Sequence, residues 1–295
     1  MQMPPAVEEP LVVIGIPTYN RCGLLRRCIE SALAQTYGRI QILVSDNASH
    51  DETEALCRGY AQRHAHLHYT RHAENVGATR NFWSLLERAQ GPLYMWLADD
   101  DWIPPDFVAR CVAVLQSDPG VVLAGARALY TGETGEPAGN HVNCTSGHRL
   151  LRVLQYYRAV DDNAIIYGVF RREVALHVQV QNWIGGDWLY VAGVAYVGKI
   201  RTVPGICIHR ERGGASRDRR HLAASLGTPR WQARVPVTVS VTINAIRDLK
   251  RNRAYAAAST GWRLLAALAL LPCLAAWKPA QEIGRRLRGR WGLSA

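Results

Sequence analysis

The sequence predicts an α/β protein: a mostly parallel central sheet with flanking helices, followed by a basic helical tail. Three observations carry this. Short apolar runs alternate with amphipathic stretches between Leu11 and Ala126, the pattern of strands buried on both faces by crossover helices. Polar clusters follow directly after the apolar runs, at the carboxyl ends where open parallel sheets present their ligand sites. The charge also changes sign along the chain: 12 basic and 16 acidic residues over 1–150 (12 − 16 = −4) against 23 and 8 over 151–295 (23 − 8 = +15).

The elements follow in order. Leu11 to Ile16 is a β-branched run that ends in Pro17-Thr18-Tyr19-Asn20. Leu24 to Gln35 sets Leu25, Cys28, Ile29, Ala32 and Leu33 on one helical face. Gln41 to Val44 is a second strand, and a helix from Asp51 or Thr53 runs through Tyr60. His68 to Thr70 reads as a short third strand, and Ala78 to Ala89 as a helix with Phe82, Leu85, Leu86 and Ala89 inward. Leu93 to Leu97 is a fourth strand running into Ala98-Asp99-Asp100-Asp101. Pro105 to Leu115 has the prolines and acids of a helix start, and Val121 to Ala126 is a fifth strand. Ile200 to Ile208 is strand-like and ends at His209.

Composition narrows the class. Of 295 residues 48% are apolar and 20% charged, which excludes a disordered chain. The seven cysteines are odd in number and never spaced C-x-x-C, so a reducing compartment is expected rather than a disulfide scaffold or zinc ribbon. The N-terminus carries acid and proline where a signal peptide needs base and an apolar run, so export is not expected. Neither G-x-G-x-x-G after the first strand nor a P-loop occurs. His64, His66, His68 and His72 lack a Cys or acid partner and read as surface residues.

Four motifs stand in order: Ile14-Gly-Ile-Pro-Thr-Tyr-Asn-Arg21, Val44-Ser-Asp-Asn-Ala-Ser-His-Asp51, Asn75-Val-Gly-Ala-Thr-Arg-Asn81 and Leu97-Ala-Asp-Asp-Asp-Trp-Ile-Pro-Pro105. Over roughly residues 11–130 the chain resembles the family 2 glycosyltransferases, the inverting GT-A class; residues 131–180 match loosely and the tail hardly at all. The resemblance implies a GT-A domain over 1–210, a nucleotide-sugar donor and a divalent metal, Mn²⁺ or Mg²⁺. It assigns Pro17, Thr18, Tyr19, Asn20, Arg21, Asp46, Asn47, Asn75, Gly77, Arg80, Asn81 and Asp99 to the donor, with Asp46 reading the nucleobase edge and Arg80 toward the phosphates. Asp100 would bind the metal, Asp101 would be a second ligand or a support for the next helix, and His209 a further ligand. The chemistry agrees: a departing nucleoside diphosphate develops charge that a metal on adjacent carboxylates stabilises.

An inverting transfer also needs a base. Asp187, in Asn182-Trp-Ile-Gly-Gly-Asp-Trp-Leu-Tyr190, lies among tryptophans whose desolvation raises a carboxylate pKa. Asp161 and Asp162 are rivals. Trp183 and Trp188 suit a sugar-stacking floor.

The tail, 211–295, contains an uncharged run from Leu264 to Trp277, too short to span a bilayer and broken by Pro272. With Trp262 before it and Lys278, Arg285, Arg286, Arg288, Arg290 and Trp291 after it, residues 262–291 suit the interface of an anionic membrane; packing on the domain is the alternative. The expectation is therefore a cytoplasmic enzyme, peripheral on the inner face of the cell membrane, glycosylating a lipid-linked acceptor in cell-surface polysaccharide or O-antigen assembly. No nucleic-acid recognition fold appears. A non-catalytic membrane-bound nucleotide-sugar binder and a nucleotidyltransferase are the competing readings. The latter normally has a Gly-rich basic loop after the first strand, which this chain lacks.

Overall fold

A computed structural model describes residues 9–132, 137–211, 226 and 228–272. Seven strands form one sheet among the described residues: β1 (Val12–Thr18), β2 (Ile40–Asp46), β3 (Leu67–Arg71), β4 (Leu93–Trp96), β5 (Val121–Tyr130), β6 (Val169–Arg171) and β7 (Lys199–Arg210), in the order β3-β2-β1-β4-β6-β5-β7. The β1–β2, β2–β3, β1–β4 and β5–β7 pairs are parallel. Sequence periodicity did not anticipate β6. This three-residue strand pairs antiparallel with both β4 and β5 and separates them. It is too short for any periodicity to register.

Helices cover both faces. α1 (Cys22–Leu33), α2 (Thr53–Arg63) and α4 (Phe107–Ser117) pack one side, where Val12, Ile14 and Ile16 meet Leu25, Ile29, Cys57 and Phe107. On the other side lie α3 (Ala78–Arg88), α5 (Arg149–Ala159), α6 (Arg172–His177) and α7 (Gly186–Val197), against Val13, Leu43 and Tyr94. Residues Leu189 to Tyr196 are all buried, as expected of a helix that is apolar all round. α7 is covered from outside by α8 (Val237–Arg251), through Val241, Ala245 and Leu249.

The described helices of the tail share the core of α7. α9 (Thr260–Pro272) has one face in that core and the other exposed. Ala266 and Leu270 are fully buried, while Leu264, Leu265 and Leu268 are 60–65% exposed. Residues 273–291, which complete the expected interface segment, lie outside the described residues. No helix among the described residues is long and apolar enough to cross a membrane.

Between β1 and β4 the direction of strand addition reverses, since β2 and β3 extend one way and β4 the other. Such a switch point opens a crevice at the carboxyl ends. Pro17 fits here because β4 pairs with β1 only as far as Gly15, so the missing N–H falls where β1 has a single neighbour.

Candidate functional site

The crevice is built by loops that lock onto one another. Asn20 adopts φ 54°, which Asn tolerates through local hydrogen bonding. Its N–H donates to Ser49 Oγ at 2.9 Å, and its Oδ1 accepts from the His50 N–H at 2.7 Å. Asn47 Nδ2 donates to Asn75 Oδ1 at 2.8 Å, and the Val76 N–H donates back to Asn47 Oδ1 at 2.9 Å. These bonds bring the first three motifs together. Tyr19 is exposed at the mouth, and Thr18 is buried beneath it.

Three of the residues assigned to the donor are engaged by protein partners in this geometry. Asp46 is fully buried; it accepts from the Ser49 N–H at 2.8 Å, Tyr69 Oη at 2.8 Å and Arg71 at 3.1 Å, which anchors its loop to β3. Asn81 is buried behind β2, accepting from Ser45 Oγ at 2.6 Å and donating to the Ser45 carbonyl. Arg80 is exposed and pairs with Glu87 at 3.0 Å, further along its own helix.

The three successive acids diverge. Arg21, where β1 turns into α1, reaches Asp100 at 2.5 Å and Asp99 at 3.3 Å through one guanidinium nitrogen. Burial pushes Asp99 up to about 6 despite Arg21. Asp101 turns inward to Arg210 Nε at 3.2 Å and is pushed by burial up to about 7, with Arg210 opposing. Beside it, Trp102 and His209 exchange both backbone hydrogen bonds, and their rings stack at 3.5 Å. Burial, then Arg27, lowers the His209 pKa.

The expected metal set of Asp100, Asp101 and His209 does not converge. Asp101 is enclosed with Arg210, His209 is committed to Trp102, and no group of three His, Cys, Asp or Glu side chains poised for a metal forms among the described residues. The residues present nevertheless fit Mg²⁺ or Mn²⁺. Asp100 offers a hard, partly exposed carboxylate at the crevice, and such ions take one or two carboxylates with phosphate and water completing the shell.

On the α7 side of the sheet lies a cavity of about 620 Å³, walled by Phe82, Trp83, Tyr130, Tyr167, Trp183 and Trp188 and carrying Asp161, Asp162, Asp187 and Arg210. Asp187 stands in the first turn of α7. The preceding Gly185 has φ 76°, and a Cβ there would lie 2.6 Å from Val241 Cγ2, so the α8 contact requires glycine. Asp187 is exposed toward the cavity. Desolvation by the surrounding protein raises its pKa, opposed first by Asn163 Nδ2, which donates to it at 3.0 Å. Tyr156 Oη donates to Asn163 Oδ1 at 2.9 Å and fixes the amide. The rivals are engaged otherwise: Asp162 accepts from Tyr130 Oη at 2.6 Å and pairs with Arg210 at 3.3 Å, and Asp161 accepts from the Asn140 N–H at 2.9 Å.

Arg210 joins the two halves of the site, yet sequence reasoning missed it. It sits at the end of β7, bridging Asp101 and Asp162 and facing the rings of Tyr130 and Tyr167. Its one legible signal was its position beside His209 at a strand end. Among so many arginines that did not distinguish it.

Comparison with known proteins places this geometry. The family described as glycosyl transferase family 2 matches residues 13–176. An uncharacterized glycosyltransferase, RP339, of Rickettsia prowazekii is 34% identical over 37% of this chain and 33% of its own length. The putative glycosyltransferase EpsH of Bacillus subtilis is 29% identical over 43% of this chain and 38% of its own. The matches thus take in about a third of these relatives. Among solved structures, residues 1–349 of S. aureus TarS in complex with UDP-GlcNAc superpose with a TM-score of 0.56 at 14% identity, over 94% of this chain and 92% of that one. The mannosyltransferase PcManGT from Pyrobaculum calidifontis, in complex with GDP-Man and Mn²⁺, gives 0.55 at 18% identity, over 98% and 89%. At these identities the likeness is one of fold, the GT-A arrangement.

Proposed function

The chain belongs to glycosyl transferase family 2, and from that premise we propose that it moves a sugar from a nucleotide-diphosphate sugar to an acceptor hydroxyl held in the aromatic cavity, with inversion. One observation carries the reading: Asp187 faces the cavity from a helix start, while Arg21 and Asp100 stand at the strand ends beyond Arg210. The aromatic walls suit the apolar face of a sugar ring. Asp187 takes the proton of the acceptor hydroxyl as its oxygen attacks the anomeric carbon, and the nucleoside diphosphate leaves from the opposite face. A raised pKa suits that role, because a base working near neutrality is most effective with a pKa close to the working pH. Asn163, fixed by Tyr156, keeps the carboxylate aimed. A divalent cation on Asp100, when bound, would supply charge neutralisation for the departing diphosphate.

The test is Asp187→Asn. Donor affinity stays within about twofold, while transfer falls at least about a hundredfold, the usual size of a general-base contribution. Near-normal turnover would move the base to Asp161 or Asp162.

The acceptor is proposed to be lipid-linked, with the enzyme held on the inner face of the cell membrane. Supporting this are the exposed leucines of α9 and the basic sequence that follows them. Because Ala266 and Leu270 are core residues, deleting the helix would conflate docking with folding. Replacing Leu264, Leu265 and Leu268 together by Gln is the cleaner test. Cosedimentation with vesicles containing anionic lipid should drop severalfold at an unchanged Tm; undiminished cosedimentation would remove the membrane face.

A further inference from the structure

Arg21 and Arg210 both neutralise the acidic turn, but they are held differently. Arg210 is wedged between two carboxylates and two tyrosine rings. Arg21 stands at the open crevice, its side chain 36% exposed, and one guanidinium nitrogen spans Asp99 Oδ1 and Asp100 Oδ2. A single positive centre bridging two hard carboxylate oxygens occupies the position a small cation would take. The two cannot share those oxygens. A divalent ion on Asp100 would lie within a few ångströms of the guanidinium, and like charges at that range repel strongly in a partly desolvated site.

The chain around Arg21 makes exchange easy. Its backbone carbonyl accepts from the Leu24 and Leu25 N–H groups at 3.0 Å and anchors the start of α1, so the side chain can move without disturbing the helix. Once released, the guanidinium remains at the strand-end crevice beside Tyr19 and Asn20. Its planar fork matches a phosphate bidentately. We propose that Arg21 is an exchangeable internal counter-ion. It holds Asp99 and Asp100 in the free protein, yields Asp100 to the divalent cation, and carries its charge to the donor's diphosphate. This rests on the reading of Asp100 as the cation site.

Exchange predicts effects of opposite sign on two probes. Binding of Mn²⁺ alone must displace Arg21 and is weakened by it. Binding of the preformed Mn²⁺–pyrophosphate complex gives Arg21 a new partner and is strengthened by it. In the full chain, Arg21→Gln should tighten Mn²⁺ binding about tenfold, followed by the paramagnetic resonance of free Mn²⁺. By calorimetry it should weaken the Mn²⁺–pyrophosphate complex about tenfold, both within the usual range of coupling between sites. Arg21→Lys retains the charge without the fork, so its Mn²⁺ affinity should stay within about threefold of the parent.

Changes of the same sign, or none, in Arg21→Gln overturn the exchange, as does a tenfold Mn²⁺ gain in Arg21→Lys. Pyrophosphate binding that needs Arg21 but is indifferent to Mn²⁺ also overturns it, making Arg21 a permanent substitute for the metal. Asp100→Asn separates the two levels. If Mn²⁺ binding survives it, the cation reading of Asp100 falls and takes the exchange with it. If Mn²⁺ binding disappears while Arg21→Gln behaves like the parent, only the exchange falls.

Discussion

Around the strand ends of β1 and β2, polar contacts run between loops that are neighbours in the sheet. Asn20 reaches Ser49 and His50, and Asn47 reaches Asn75, each across about one strand-helix unit. Around the cavity, Arg210 pairs with Asp101 from 109 positions away, and Asn244 holds the Ile184 carbonyl from 60 away. The first region is assembled by adjacency, the second by how far-separated elements pack. Damage should spread accordingly. A loss at the strand ends stays within its loop, and a loss at the cavity reaches across the sheet.

The largest expected effect comes from breaking the cavity's link to the acidic turn. Arg210→Met leaves Asp101, 2% exposed at its side chain, without its cation. Removing one partner of a buried pair costs about 3–5 kcal/mol; because Arg210 is itself a quarter exposed, about 3 is expected. Asp101 already holds a raised pKa of about 7, and losing Arg210 raises it further. Protonation then relieves the charge, so the destabilisation is deepest above pH 7 and shrinks as the pH falls through that value. Urea unfolding of the variant at pH 5.5 and pH 8 measures both. A pH-independent loss under 1 kcal/mol would mean the two regions are not joined through this residue.

The same contrast governs what was legible in the sequence. The strands β1, β2 and β4 and their following motifs were readable because an apolar run and its terminal polar cluster are contiguous. The helix start that carries Asp187 was readable because Gly185 and Gly186 directly precede it. Arg210 and Asn163 carry no local mark; their roles arise only when β7 and the loop before β6 meet at the cavity. Asp46 shows the complementary limit. Its position after β2 is legible, but Tyr69 and Arg71, which occupy its carboxylate, come from the next strand. The antiparallel β6 fell below the length at which periodicity speaks.

A middle-sized effect compares two buried acids. Asp46 at the strand ends has a tyrosine hydroxyl and a guanidinium, whereas the Asp248 carboxylate, in α8 over the cavity helix, takes only the Asn252 amide among the described residues, at 3.2 and 3.3 Å. Burial pushes Asp248 up to about 7, with Asn252 opposing weakly. An unfolded aspartate titrates near about 4. The folded pKa is therefore the higher one. Below about 4 the protonated group costs nothing, stability falls as pH rises from about 4 to about 7, and it is level above. Asp248→Asn should stabilise the protein by about 1–3 kcal/mol at pH 8 and by almost nothing at pH 4. Equal gains at both values would point to packing rather than ionisation.

The smallest effect tests whether strand-end damage stays local. Gly77 joins the Asn75 turn to α3 with φ 84° and ψ 155°, a conformation nearly restricted to glycine. A Cβ there would meet nothing within 4 Å, so Gly77→Ala isolates backbone strain from packing. Strain of about 1–3 kcal/mol is partly offset by the lower entropy of an unfolded alanine, about 0.4–1 kcal/mol, leaving a net loss near 1. In a chain of this size that lowers Tm by only about 2 °C. The loop should register it more than the whole molecule. Hydrogen exchange at Val76 and Gly77, whose N–H groups donate to Asn47 and Asn75, should quicken, while the amides of α7 keep their protection relative to the global change. If α7 loosens as much as the loop, damage crosses the sheet from either side, and the contrast between adjacency and long-range packing does not hold.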